Sequence, residues 1–346
     1  MRRTFWAIGM GVCVSSASCS DDPARAPSTG GRDAGVDSVS GGSGGADMDG
    51  AAGDAGHQSE DADAWALPSC PVFSEPVERG RVYTADLDEI SGMVVSRRNA
   101  RVIWVHNDSG DSARVFALRD DGAHLGSFAL EGARAIDWED MTIGPGREPE
   151  TDGLYLADIG DNDLERPNVV VYRVTEPAVD PSMGGYDTTL TDVETFPLVY
   201  PEPQPDTARN AETLMLEPQS GDLFIVTKEL SGARVYRARA PLSISGNTLE
   251  LVTVLGFGQP PLGAEPLVTG GDVSASSEVA LRTLSSAYLW RAGAAPGISL
   301  ALQSEPCPLP LAVEIQGETL AFAPDASGYY TISEGAGASL YFYARQ

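Results

Sequence analysis

The chain is short of the residues on which most familiar enzyme chemistry rests. It has three histidines, His57, His106 and His124, and four cysteines, Cys13, Cys19, Cys70 and Cys307. No C-x-x-C pair, H-E-x-x-H or Walker sequence occurs, and the one G-x-S-x-G match, residues 41–45, lies in a Gly-rich acidic stretch with no strand pattern around it. Zinc, dithiol, nucleophile-elbow and P-loop chemistry therefore lack their ligands or their loops. Positive charge is scarce as well, with 23 Lys and Arg against 50 Asp and Glu and a net charge of −27. Such a surface repels phosphate backbones and anionic lipid, which argues against both as partners. Beyond a short leader, no apolar run is long enough to span a bilayer, and no helical period lasts beyond two turns.

What the chain does contain begins with an export signal. Arg2 and Arg3 precede a short apolar and Gly run, Phe5 to Val14, and small residues then lead to Cys19. This is the pattern of a secretory signal peptide. The small residues resemble a bacterial lipobox, although Ser16 stands where a Leu is usual. Residues 1–19 are accordingly expected to be a lipoprotein signal peptide with Cys19 acylated, placing the protein in the cell envelope; cleavage with free secretion is the alternative. Residues 20–64 lack aromatics and carry ten acids against Arg25 and Arg32. They cannot bury enough apolar surface to fold. They form an expected disordered tether with a reach of about 40 Å. With Cys13 removed and Cys19 lipidated, Cys70 and Cys307 remain as an even pair in an oxidising compartment, an expected disulfide. Closing a loop of ~240 residues credits it with roughly 5 kcal/mol in the chain-entropy model.

Residues 65–346 read as one all-β domain built from a repeat. "EISGMVVS" begins at Glu89, "EDMTIGPG" at Glu139, "ETLMLEP" at Glu212 and "ETLAFAPD" at Glu318, with a divergent "GDVSASS" carrying Asp272. Each is followed by an apolar segment ending in polar residues, such as "VIWVHND" and "LYLADIGDN". A third segment pairs aromatic or aliphatic residues with Arg, as in "RVFALR" and "AYLWR". Three or four strands repeated five times specify a five-bladed β-propeller, with six blades as the alternative. The Pro-rich end of residues 175–205 reads as loop and outer strand. The last unit ends after its third strand, so "RVYTADL" (81–87) is expected to supply the missing outer strand and close the ring. Cys70 then lies beside the final blade, which Cys307 is expected to enter just before its inner strand.

In an antiparallel hairpin the start of the first strand lies beside the end of the second. Glu89 is thus expected near His106, Asn107 and Asp108, and Glu139 near Asp158, Asp161 and Asn162. Glu212 is expected to face Lys228, Asp272 to face Arg282, and Glu318 to face Glu334, all on one rim of the channel. The acids have three competing roles. They can cap backbone N–H groups or pair with Lys228 and Arg282. They can hold a hard cation, for which Asp108, Asp137, Glu139, Asp158, Asp161 and Asn162 offer oxygen ligands with no compensating Lys or Arg. Or they can form a polar ligand site with His106, Lys228, Arg282, Glu318 and Glu334, in which His106 is the histidine acid–base candidate. His124 follows a turn signal and reads as exposed, and Trp138 as packed between blades rather than stacking a sugar.

"WVHNDSGDSARVFAL", "DWEDMTIGPG", "LADIGDN" and "YYTISEG" resemble motifs of a group of exported bacterial propellers of uncharacterised activity. More remotely, the acid-lined mouth is similar to calcium-dependent hydrolases of the gluconolactonase and phosphotriesterase kind, which have six blades. That resemblance implies Ca²⁺ as the cofactor, held by acidic and Asn side chains near the channel. The expected function is an envelope-anchored propeller binding a divalent cation or small polar ligand at its mouth. The alternatives are a calcium-dependent hydrolase of esters, lactones or phosphoesters, and a protein-interaction scaffold without a small-molecule site. Cells fed a fatty-acid analogue are expected to label the wild-type protein and not Cys19→Ser; equal labelling overturns the lipobox assignment.

Overall fold

The computed structural model describes residues 69–202, 208–257, 265–293 and 296–346. The leader, Cys19 and the acidic tether lie outside the described residues. Strand segments that read from sequence as alternating or wholly apolar assemble into five antiparallel blades. The innermost strands are Ile90–Val95, Trp138–Pro145, Ala211–Leu216, Val268–Val273 and Ala321–Phe322. Each contacts the inner strand of the next blade, and the fifth returns to the first, so the sheets form a closed ring around a channel. Inner strands are packed on both faces, which is why Ile90–Val95, Ala211–Leu216 and Val268–Val273 are buried at every residue. The apolar core is divided into five wedges, one between each pair of blades. Trp104 and Trp138 fill the wedge between the first and second blades, as expected of Trp138.

The ring closes by pairing the two ends of the domain. Val77–Arg81 pairs antiparallel with Ser339–Ala344, matching Val77 to Phe342 and Arg81 to Ser339. The closing strand therefore precedes the segment 81–87 expected from sequence. After Arg81 the chain turns inward to bury Val82 and Leu87 while leaving Tyr83 exposed, so those residues carry the connection to the first blade. Cys70 and Cys307 form a disulfide with Cα atoms 5.6 Å apart. Cys307 opens the outer strand of the fourth blade, Cys307–Leu309, and not the entry to the fifth. The disulfide thus ties the segment that leads into the closing strand to the neighbouring blade.

Two further departures are short parallel strands that leave their own unit to pair with a neighbouring blade. Of residues 175–205, Glu194–Val199 is the outer strand of the second blade. Tyr186–Leu190 instead crosses back and pairs in parallel with His124–Leu130, the outer strand of the first blade. Asn247–Thr248 likewise adds a short parallel strand to the second blade. His124 is exposed at the start of its strand.

One irregularity recurs and governs the channel. In four blades the pairing of the first two strands slips by one residue, between Ile90 and Gly92, Trp138 and Asp140, Ala211 and Thr213, and Val268 and Gly270. In the fifth it slips between the Gly317–Ser333 bridge and the Ala321–Tyr330 pair. A bulge adds one residue to one strand and re-aims its side chain. The extra residues are Ser91, Glu139, Glu212 and Thr269, all at the same end of the channel.

Removal of the disulfide by Cys70→Ala with Cys307→Ala is expected to lower stability by about 2–5 kcal/mol without altering the blades, checked by denaturant titration and far-UV circular dichroism. Equal stability of the two proteins would show that strand pairing alone holds the ring shut.

Candidate metal centre at the channel mouth

The bulges sort the rim acids by role. Ser91 Oγ donates to Glu139 O of the next blade at 2.5 Å, and Thr269 Oγ1 to Gly317 O at 2.9 Å. Asp140 accepts from Leu214 N at 2.9 Å and Met141 N at 2.8 Å. Asp272 accepts from Phe322 N at 2.8 Å and Val273 N at 2.7 Å. Asp140 and Asp272 are therefore clamps between inner strands. Asp272 stands opposite Ala280, while Gly270 stands opposite Arg282; the expected Asp272–Arg282 pair does not form because Asp272 lies two residues beyond Arg282's partner in unbroken pairing, and Thr269, not Asp272, stands at this blade's bulge. In the first blade it is Ser91, two residues beyond Glu89, that stands at the bulge as Glu139 does in the second. Glu89 does lie beside Asn107 and Asp108, with Asp108 N donating to Glu89 O at 2.8 Å.

Three carboxylates are brought together at the junction of the first and second blades. Asp108, Asp137 and Glu139 each place an oxygen within 4.8 Å of the others. The space for this is provided by Gly160 in the "LADIGDN" segment. A Cβ there would lie 2.1 Å from Glu139 Oε1 and 2.4 Å from Asp137 Oδ2, so any other residue would drive the two carboxylates apart. Burial raises Asp137 to about 6, helped by Asp108 and Glu212. Burial likewise carries Glu139 well above the usual carboxylate range, with Glu212, Asp108 and Asp137 adding to it. Among the described residues, no Lys or Arg forms an ion pair with any of the three.

The other acids of this corner are engaged by protein groups. Asp158 pairs with Arg166 at 2.8 Å and accepts from Asp137 N at 3.1 Å. Asp161 accepts from Glu165 N at 3.0 Å and Arg166 N at 2.8 Å. Asn162 accepts from Asn210 Nδ2 at 3.1 Å. Arg166 also donates to Gly160 O at 2.7 Å and Asp158 O at 3.1 Å. It overturns the expectation of a corner without a compensating cation. Arg166 and Gly160 are the functional residues that sequence reasoning missed. Arg166 is the single basic residue of "GDNDLERPN", eight positions after Asp158, and only the fold of the loop brings it back.

Across the mouth, Glu212 meets Lys228 at 2.9 Å, as expected. Glu139 and Glu212 are in hydrogen-bond contact, and so are Glu318 and Glu334. Two carboxyls in contact share a proton more readily than they both ionise. Burial, with Glu334 next, lifts Glu318 to about 8. The remaining candidates are enclosed. His106 is fully buried, its Nδ1 2.8 Å from Asn107 O and its ring edge-on to Trp138 at 5.3 Å. Arg282 is fully buried and paired with Glu314 at 2.7 Å. The chain thus brings Lys228, Glu318 and Glu334 to the mouth, and sets His106 and Arg282 between blades.

No protein-family model matches the sequence, and none of the curated proteins does. Among solved structures the chain is similar to a gluconolactonase of Xanthomonas campestris, with 12% identity, TM-score 0.44, and 81% of this chain and 98% of that one covered. It is also similar to a luciferin-regenerating enzyme, with 10% identity, TM-score 0.41, and 80% and 95% covered. A chain of a nidogen/laminin complex follows at 10% identity and TM-score 0.37, with 71% and 73% covered.

A carboxyl whose folded pKa is raised contributes stability that is complete below its unfolded value and is lost as pH rises through the folded one. Asp137, raised from 3.8 to about 6, and Glu318, raised from 4.5 to about 8, place that loss between about pH 4 and pH 8. In chelator, the melting temperature is expected to fall over this window. Glu318→Gln is expected to flatten the part above pH 6. A melting temperature that rises between pH 5 and pH 8 contradicts this assignment.

Proposed function

We propose that this protein is an envelope-anchored propeller that holds a hard divalent cation, calcium foremost, at Asp108, Asp137 and Glu139. The observation that carries the proposal is the convergence of three carboxylates on the side left open by Gly160, with no ion-pair partner among the described residues. Carboxylates in such contact repel one another, and a cation relieves that repulsion. Calcium takes six to eight oxygens and tolerates irregular geometry, so three carboxylates with waters or backbone carbonyls suit it better than zinc. Asp158 and Asp161 belong to this proposal as supports, because Arg166 and backbone N–H groups already occupy them. A bound cation would supply charge and oxygen coordination at the mouth. Lys228, Glu318 and Glu334, across the channel, would face whatever polar molecule enters. The anchoring half of the proposal rests on Cys19 and the leader sequence.

Binding to the folded state stabilises it by RT ln(1 + [L]/Kd), about 2.7 kcal/mol at a hundredfold excess over Kd. Millimolar calcium is therefore expected to raise the melting temperature relative to chelator, and Asp137→Asn with Glu139→Gln to abolish the increment. Asp158→Asn is expected to destabilise by roughly 3 kcal/mol with or without calcium, because it breaks a buried pair. Equal melting of the wild type in calcium and in chelator would sink the cation site.

A further inference from the structure

A second surface lies on the same face, apart from the three carboxylates. It is made by three loops: 310–317, which enters the fifth blade, 333–338, within that blade, and 82–89, which enters the first blade. They form one continuous patch. Gln316 Nε2 donates to Glu334 Oε2 at 2.8 Å, and Glu334 N to Gln316 O at 2.9 Å. Gly335 N donates to Asp88 O at 2.9 Å, and Tyr83 Cε1 lies 3.3 Å from where a Cβ on Gly337 would stand.

The patch displays apolar side chains to water. Val313 is 101% exposed, Ile315 92% and Tyr83 79%. Between the first two, the Glu314 side chain is 2% exposed and is locked to the fully buried Arg282 at 2.7 Å and to Thr331 Oγ1 at 2.9 Å. Alternation along an extended segment puts Glu314 inward and its neighbours outward. A buried ion pair is costly to form and seldom stabilises more than an apolar substitute. Leaving a large aliphatic side chain in water forgoes the stabilisation that burial would bring. Here one loop does both. The Arg282–Glu314 pair holds it in a shape that keeps Val313 and Ile315 out.

We infer that this patch docks a polypeptide segment in which Lys or Arg alternates with aliphatic or aromatic side chains. The three loops contain no Lys or Arg, and Asp88 together with Glu334, which shares a proton with the adjacent Glu318, sets negative charge beside the apolar side chains. An acidic patch disfavours an anionic membrane. A second copy would bring its own acids against these, and the acidic residues 20–64 have the wrong sign to fold back onto them.

The test uses the full exported protein in chelator and physiological salt, so that it is independent of the cation site. Fluorescent heptapeptides of alternating lysine and leucine, lysine and serine, or glutamate and leucine are titrated by anisotropy. The lysine–leucine peptide is expected to bind at least tenfold more tightly than the lysine–serine peptide, and the glutamate–leucine peptide not to bind. Val313→Ser with Ile315→Ser is expected to erase the tenfold preference with an unchanged melting temperature, and Glu334→Gln to weaken lysine–leucine binding severalfold. The inference is overturned by absence of binding, by equal binding of the two lysine peptides, or by a preference that survives the double substitution. Sedimentation showing a dimer that the double substitution dissolves also overturns it, since the patch would then join two copies.

Discussion

The rest of the molecule depends on one strand pairing, Val77–Arg81 against Ser339–Ala344. A blade is a small sheet with two apolar faces, and in this chain every inner strand is buried from both sides. Opening the ring would expose the wedge between the fourth and fifth blades or that between the fifth and first, each lined by buried residues such as Tyr329 and Ile332. Closure is therefore a condition of burial for all five blades together. It also makes the mouth. The bulged ends of the inner strands converge only because the strands stand in a ring, so the chemistry of the site inherits the pairing of the chain's two ends.

Within that ring, acids are affordable only where something compensates for lost water. Asp140 and Asp272 receive two backbone N–H groups each and act as mortar between inner strands. Asp158, Glu212 and Glu314 have a cationic side chain each, Arg166, Lys228 and Arg282. Glu318 and Glu334 lean on one another. Glu139 leans in the same way on Glu212, but Asp108, Asp137 and Glu139 have among the described residues neither an ion pair nor a set of backbone donors that accounts for all three. The difference between these groups is what singles out one corner of an acidic mouth that, by composition alone, is uniform.

The repeat was legible because strands have a period of two and the blades recur, so five units and the Glu212–Lys228 and Glu318–Glu334 encounters follow from spacing, while the disulfide partners follow from counting cysteines. What was not legible is where each bulge falls. Aligning Glu89 and Asp272 with Glu139 misses the bulges by two and three residues, because Ser91 and Thr269 occupy them. Short parallel strands such as Tyr186–Leu190 carry no local signal, because their partner lies in another repeat. Cys307–Leu309 is three residues with a Pro inside, too brief for an alternating pattern to declare it a strand.

His106 and Arg282 show how the repeat assigns a place while the residues assign its use. Each stands on the second strand opposite the first residue after the bulge, paired with Gly92 and Gly270. The second and third blades fill the same place with Ala157 and Val226, opposite Asp140 and Thr213. Close packing conserves volume there, so a larger side chain on one strand demands a smaller one beside it. A Cβ on Gly92 would lie 2.0 Å from His106 Nε2, and one on Gly317 would lie 1.7 Å from Arg282 Nη2. The two polar side chains are enclosed because neighbouring glycines give up their side-chain space. His106 is thereby held over Trp138, and Arg282 reaches across to the next blade, where it fixes the loop that carries Val313 and Ile315. The same position in the repeat thus contributes packing in one blade and a displayed surface in another.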